Sequence, residues 1–172
     1  MKYMIISDIH GNIEALNKVL NIYRSEICEK LLILGDLINY GIDYNIEDII
    51  NRLNLMKENI IYVKGNCDEN LKGIEFGHNY IENICLNNKK IVLTHGHLFN
   101  KDYLSKIDAD IILSGHTHIN NIENYNNKFF INPGSISKSR SGENSFAIID
   151  NNIVTIRNLD NEILYSKNLE KN

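Results

Sequence analysis

The sequence predicts an α/β fold in which two sheets, each mixed or partly antiparallel, pack face to face and are flanked by helices. Three observations lead there. Short apolar runs alternate with helical periodicity through the first half of the chain. Short strand-like runs joined by Asn-rich turns fill the second half. Clusters of His, Asp and Gly close or follow the apolar runs, as polar groups do at the carboxyl edge of a sheet.

Residues 3–7 (Tyr-Met-Ile-Ile-Ser) read as a buried strand, and Asp8-Ile9-His10-Gly11-Asn12 as the turn after it. A helix follows, with Ile13, Leu16, Leu20, Tyr23 and Ile27 spaced by threes and fours. Leu31 to Leu34 form the next run and end at Gly35-Asp36. A second amphipathic helix carries Ile46, Ile49, Ile50, Leu53 and Met56, and Ile60 to Val63 make a third strand ending at Gly65-Asn66. This rhythm predicts parallel strands joined by right-handed crossovers.

Farther on, Tyr80 to Leu86, Lys90 to Thr94 and Ile111 to Ser114 read as strands, with a short helix near 101–107. Strand-like runs at 129–131, 145–150, 153–158 and 162–166 are joined by turns such as Asn126-Asn127 and Asn151-Asn152. No linker, repeat or charge block divides the chain, so residues 1–172 are expected to form one domain.

Composition narrows the function. The 28 Asn among 30 Ile are dispersed through periodic apolar positions and reflect genome composition, not disorder. A net charge of −4 with no basic run gives no electrostatic footprint for nucleic acid. No stretch approaches the roughly 20 apolar residues that span a bilayer, and the apolar start is too short for a signal peptide. Cys28, Cys67 and Cys85 form no CxxC pair, which points to free thiols and a cytoplasmic location.

Five of the six histidines fall in Asp8-Ile9-His10, Thr94-His95-Gly96-His97 and Gly115-His116-Thr117-His118. Gly35-Asp36 and Gly65-Asn66-Cys67-Asp68 lie between them. Parallel strands would deliver all of these to one edge, where imidazoles, carboxylates and an amide suit two divalent metals and phosphate ester hydrolysis. Asp8 and His10, like His95 and His97 or His116 and His118, are one residue apart, so in an extended segment both would point the same way. Each group alone has an ordinary reading. Asp-x-His is also a turn with a helix cap, Asp after Gly is common loop chemistry, and His78 reads as a solvated loop residue. The ordered set of five is what separates this chain from a structural protein.

The same set resembles the calcineurin-like metallophosphoesterase superfamily. The chain size, Cys67 and the late Asn132-Pro133-Gly134-Ser135 are similar to its small YfcE-type phosphodiesterase branch. The resemblance implies a four-layer α/β/β/α sandwich and a dinuclear centre, with manganese foremost and nickel, zinc or iron also fitting. Carried over by position, Asp8, His10, Asp36 and His118 hold one metal, and Asp36 bridges to a second completed by Asn66, His95 and His116. A hydroxide bridging the metals would attack phosphorus, so no side-chain nucleophile is needed.

Many relatives carry His where this chain has Cys67, placed to protonate the leaving oxygen. A thiol is a weak substitute. Either that acid is missing or His97 supplies it; Cys67 also reads as a small buried loop residue. Asp68 is expected to orient Asn66 or a neighbouring loop. Arg140 reads as a clamp on a phosphate oxygen or as an ordinary surface arginine. With no inserted cap, loops 66–79 and 97–106 are expected to shape an open site.

The implied partner is a small phosphate ester, with no membrane and no nucleic acid; dimers or tetramers occur among relatives. The alternative is a scaffold, because a eukaryotic retromer subunit resembles this fold while its site is degraded. Seven competent ligand positions here favour the enzyme.

Overall fold

A computed structural model describes residues 1–39 and 45–170. The chain runs β1 (Lys2–Ile6), α1 (Ile13–Ser25), β2 (Lys30–Ile33), α2 (Ile46–Asn54), β3 (Ile60–Tyr62), β4 (Ile81–Leu86), β5 (Lys89–Thr94), α3 (Lys101–Lys106), β6 (Ile111–Leu113), β7 (Asn121–Tyr125), β8 (Lys128–Asn132), β9 (Ser145–Asp150), β10 (Ile153–Asn158) and β11 (Ile163–Asn168). One sheet has the order β11-β10-β9-β1-β2-β3 and the other β4-β5-β6-β8-β7. Both are mixed: β1-β2-β3 and β5-β6-β8 are parallel, and the outer strands are antiparallel.

Alternation within the apolar runs builds the layers. In β1, Met4 and Ile6 pack with Leu16, Leu20 and Ile49 of the helices, while Tyr3 and Ile5 pack with Leu93, Leu113 and Phe129 of the other sheet. Leu31 and Ile33 of β2 face the helices, and Leu32 faces the other sheet. In the second sheet, Ile91, Leu93, Ile111 and Leu113 face inward, whereas Val92 and Ile112 meet Leu104 of α3. Each central strand is therefore buried on both faces and reads as an unbroken apolar run. The result is a four-layer α/β/β/α sandwich. Burying each such side chain stabilises it by about 1.5–3 kcal/mol.

Asn12 caps α1 by accepting the Ala15 N–H at 3.0 Å, and Glu14 and Arg24 match the helix dipole at its two ends. The helix stops short of the expected Ile27. That residue turns at φ 54° and is 83% exposed, so it leaves the apolar face instead of extending it. Met56 likewise lies beyond α2. Strand β7 was not anticipated. Its Asn-Ile-Glu-Asn-Tyr sequence offers two apolar residues in five, and it forms because β8 supplies a partner along one edge. No helix among the described residues is long and apolar enough to cross a membrane.

Candidate metal centre

The loops after β1, β2, β3, β5 and β6 converge at one edge and are tied to one another by backbone. Asp8, His10 and Gly11 donate N–H bonds to Gly35, Asp36 and Leu37 at 3.0, 3.0 and 2.9 Å. Gly115 donates to the His95 carbonyl at 3.0 Å. Close approach demands glycine at two points. A Cβ on Gly35, itself at φ 90°, would sit 2.5 Å from the Gly65 nitrogen, and one on Gly115 would overlap the Ser7 hydroxyl.

Asp8, His10, Asp36, His116 and His118 have φ of 57°, 48°, 55°, 68° and 60°. Asp8–His10 and His116–His118 thus run through left-handed backbone, not through the extended pleat the spacing suggested, and in His95–His97 it is the intervening Gly96 that turns, at φ 104°. Such conformations cost on the order of 1 kcal/mol or more each and persist where the surroundings over-determine them. Five in one place mark a site built for something other than stability.

Three imidazoles are held the same way. Nδ1 of His95 faces the Leu34 carbonyl at 2.6 Å, Nδ1 of His118 faces the Lys138 carbonyl at 2.8 Å, and Nδ1 of His10 faces the Ile38 carbonyl at 3.3 Å. A carbonyl only accepts, so each Nδ1 carries a proton, and in the neutral ring each Nε2 presents a lone pair. Those lone pairs meet other acceptors. Nε2 of His10 and of His118 are 3.1 Å apart, Nε2 of His95 is 3.1 Å from Asn66 Oδ1, and Nε2 of His118 is 3.1 Å from Asp8 Oδ1. Asp8 Oδ1 is buried without a hydrogen-bond partner among the described residues. With the rings neutral these acceptors face one another with no donor between them, an arrangement that a cation relieves, and this donor set fits divalent metal. Potential ligand atoms of Asp8, His10 and His118 lie within 4.8 Å of one another, as do those of Asp8, Asp36 and His95.

Asp36 stands between the two groups, its Oδ2 3.4 Å from His95 Nε2 and 3.8 Å from His10 Nε2. Its Oδ1 accepts the Cys67 N–H at 2.8 Å. Burial would raise its pKa, but His95 and the Cys67 N–H outweigh that and hold it at about 2. Burial lowers the pKa of His10 and His116. Burial also opposes charge on His95, yet Asp36 wins and its pKa rises; Asp8 raises that of His118.

The structure places the other predicted residues as follows. Asp68 is fully buried. Its carboxylate accepts from the backbone of Asp36 (2.7 Å), Leu37 (2.8 Å), Ile38 (3.4 Å) and Gly65 (3.0 Å) and from the Tyr62 hydroxyl (2.8 Å), so it fixes the Asp36 loop. Cys67 is 8% exposed, and its sulfur lies within 4.8 Å of ligand atoms of His10 and Asp36. The His97 ring is 5.3 Å from His95 and 6.1 Å from His116, and its Nδ1 is buried without a hydrogen-bond partner among the described residues. Arg140 is exposed, and its N–H donates to the His118 carbonyl at 2.9 Å. His78 is exposed on a loop.

An open groove over the centre is lined by His10, Asp36, Asn66, Cys67, His116 and His118, with Asn39, Lys138 and Arg140 at its rim. Of residues 97–106, His97 comes beside the centre through its ring contacts with His95 and His116, while Phe99, Asn100, Lys101 and Leu104 line a neighbouring cavity with Gly96 and Gly115. The segment after Pro133 also borders the groove. Ser135 donates to the Asp8 carbonyl at 2.8 Å and accepts the Lys138 N–H at 2.7 Å, locking this segment to the first metal-facing loop. Lys138 and Asn39 belong to no spaced cluster of ligand-type residues, so only the fold reveals them, whereas Ser135 closes the Asn132-Pro133-Gly134-Ser135 run.

Comparison with known proteins agrees with this geometry. Residues 1–152 match the calcineurin-like phosphoesterase superfamily domain. The chain is 30% identical to phosphodiesterase YfcE of Escherichia coli over 97% of both chains, and 33% identical to the probable metallophosphoesterase YsnB of Bacillus subtilis over 93% of this chain and 91% of that one. Its structure is similar to that of YfcE, with a TM-score of 0.91 over 99% of this chain and all of the other. It is also similar to zinc-complexed Vps29 of Entamoeba histolytica, at 25% identity and a TM-score of 0.71 over 99% of this chain and 100% of the other. Five motif-bearing loops meeting at one acceptor-rich centre, together with the domain match, show that the chain belongs to the calcineurin-like phosphoesterase superfamily.

Proposed function

We propose that this chain is a phosphodiesterase acting on small phosphate esters through two divalent cations, manganese foremost, with nickel, zinc or iron also suited to the mixed N/O donors. Asp8, His10, Asp36 and His118 would hold the first, and Asp36, Asn66, His95 and His116 the second. The observation that carries this reading is the set of opposed lone pairs on His10, His118, His95, Asn66 and Asp8. Bound there, two cations neutralise phosphate charge and acidify water.

The chain's own groups do the rest. Backbone carbonyls at Leu34, Ile38 and Lys138 fix the imidazole tautomers, and Asp68 holds the Asp36 loop rigid. Arg140 clamps a phosphate oxygen from the rim. Proton delivery to the leaving oxygen falls to His97, or is absent because Cys67 is a poor donor. Three free cysteines suit a cytoplasmic setting.

The similarity to Vps29 supports a second reading, a scaffold acting through protein contacts. The retained ligand types favour the enzyme. Nitrophenol release from a chromogenic diester, measured with and without manganese, decides between them. Metal-dependent turnover of the diester above the monoester is expected. A metal-loaded protein that turns over neither ester would support the scaffold.

A further inference from the structure

The rim of the groove carries two cations that metal binding does not require. Lys138 and Arg140 are both exposed and line the groove together with the metal-facing side chains. Neither forms a salt bridge among the described residues. The Lys138 ammonium donates to the neutral amide oxygen of Asn39, whose own NH2 donates to the His10 carbonyl at 2.6 Å. Its place is fixed at the other end too, since the Lys138 carbonyl accepts from His118 Nδ1 at 2.8 Å. A lysine anchored at both ends over the centre is not a freely solvated one.

Charge gives this placement meaning. The acidic ligands are Asp8 and Asp36, so two divalent cations over two carboxylates leave the loaded centre net positive. Two more cations at its mouth repel that centre, in a chain whose net charge is −4. A diester brings one negative charge, too little to balance this rim. A substrate with a further anionic group would satisfy both, and one without it would leave Lys138 facing excess positive charge.

We propose that Lys138 selects phosphodiesters that carry a second anionic group, carboxylate or phosphate, on one of their alcohols. This inference rests on the phosphoesterase reading. It makes Lys138 a specificity residue touching the part of the substrate that does not react.

The test is a set of nitrophenyl diesters whose second alcohol, at equal chain length, carries nothing, a carboxylate, a phosphate or a trimethylammonium group. The manganese-loaded full chain should show a KM about tenfold lower for the anionic esters than for the uncharged one, and a higher KM for the cationic one. The larger gain between carboxylate and phosphate identifies the natural group. Lys138→Gln, which keeps the backbone carbonyl that His118 needs, should erase most of the preference through KM and not kcat. Lys138→Arg should retain it, and Lys138→Glu should invert it. Calorimetric titration of hydrolysis-inert phosphonate analogues of the same set should give the same order in Kd. Turnover with equal KM across the set, or a preference indifferent to Lys138→Glu, overturns the proposal and leaves the phosphoesterase reading standing. Absence of all turnover sinks that reading instead, and the phosphonate affinities then still decide whether the rim selects anions.

Discussion

The Nε2 atoms of His10 and His118 face each other at 3.1 Å while both Nδ1 atoms are committed to backbone carbonyls. With both rings neutral, neither has a proton to offer the other. That contact is repulsive until a cation enters, which would couple stability to metal binding.

Chelation should therefore destabilise the protein. Metal at 100 to 1,000 times its Kd stabilises by about 3–4 kcal/mol. For a chain of this size that corresponds to roughly 5–15 °C in Tm. Thermal melts with excess manganese and with a chelator measure it. Coincident melts would show that the opposed lone pairs hold no ion.

Asp68 should matter for both stability and turnover although it faces away from the groove. Asp68→Asn puts an NH2 donor among five donors that need an acceptor. Urea denaturation should show a loss of about 2–4 kcal/mol. The loosened Asp36 loop should also lower metal affinity. A variant as stable as the parent would remove Asp68 from its role in holding that loop.

Acid should expose a second cluster far from the metals. Asn161, Lys2 and Arg157 hold Glu26 at about 2, at hydrogen-bond distances of 3.0, 2.9 and 2.8 Å. A folded pKa below the unfolded one means that this stability is full above the ordinary carboxylate range and fades as pH falls toward 2. The cluster is partly solvated, so on the order of 1–2 kcal/mol is at stake. Glu26→Gln should flatten the drop in unfolding free energy over that window. An unchanged acid profile would show that the cluster contributes nothing.

Cys67 bears on the leaving-group dependence expected of the proposed reaction. If no side chain protonates the departing oxygen well, nitrophenyl esters should react far faster than alkyl esters, and Cys67→His should selectively help the alkyl ones. His97→Ala tests the rival source of that proton. Selective loss on alkyl esters would assign the acid to His97. If neither substitution changes the dependence, both assignments fail.

The sequence made the converging loops legible because their polar clusters close or follow apolar runs. Those runs could be read because alternation such as Met4 and Ile6 against Tyr3 and Ile5 needs both faces buried. The left-handed backbone at Asp8 and His116 was not legible, since nothing in an Asp or a His demands positive φ. Strand β7 escaped because an edge strand requires little apolar content. Lys138 escaped because its meaning lies in Asn39 and His118, which are distant in the chain and meet it only after folding.

The dinuclear centre is the core of the account, and Asp36 is where it is most exposed to test. Its carboxylate lies 3.4 Å from His95 Nε2 and 3.8 Å from His10 Nε2, so on the proposed reading Asp36→Ala would remove a ligand from both metals at once. The measurement is metal stoichiometry by elemental analysis, paired with diester turnover, on parent and variant. The account predicts two equivalents of metal on the parent, fewer on the variant, and turnover lower by orders of magnitude. An Asp36→Ala protein that keeps two equivalents and most of its turnover would contradict it.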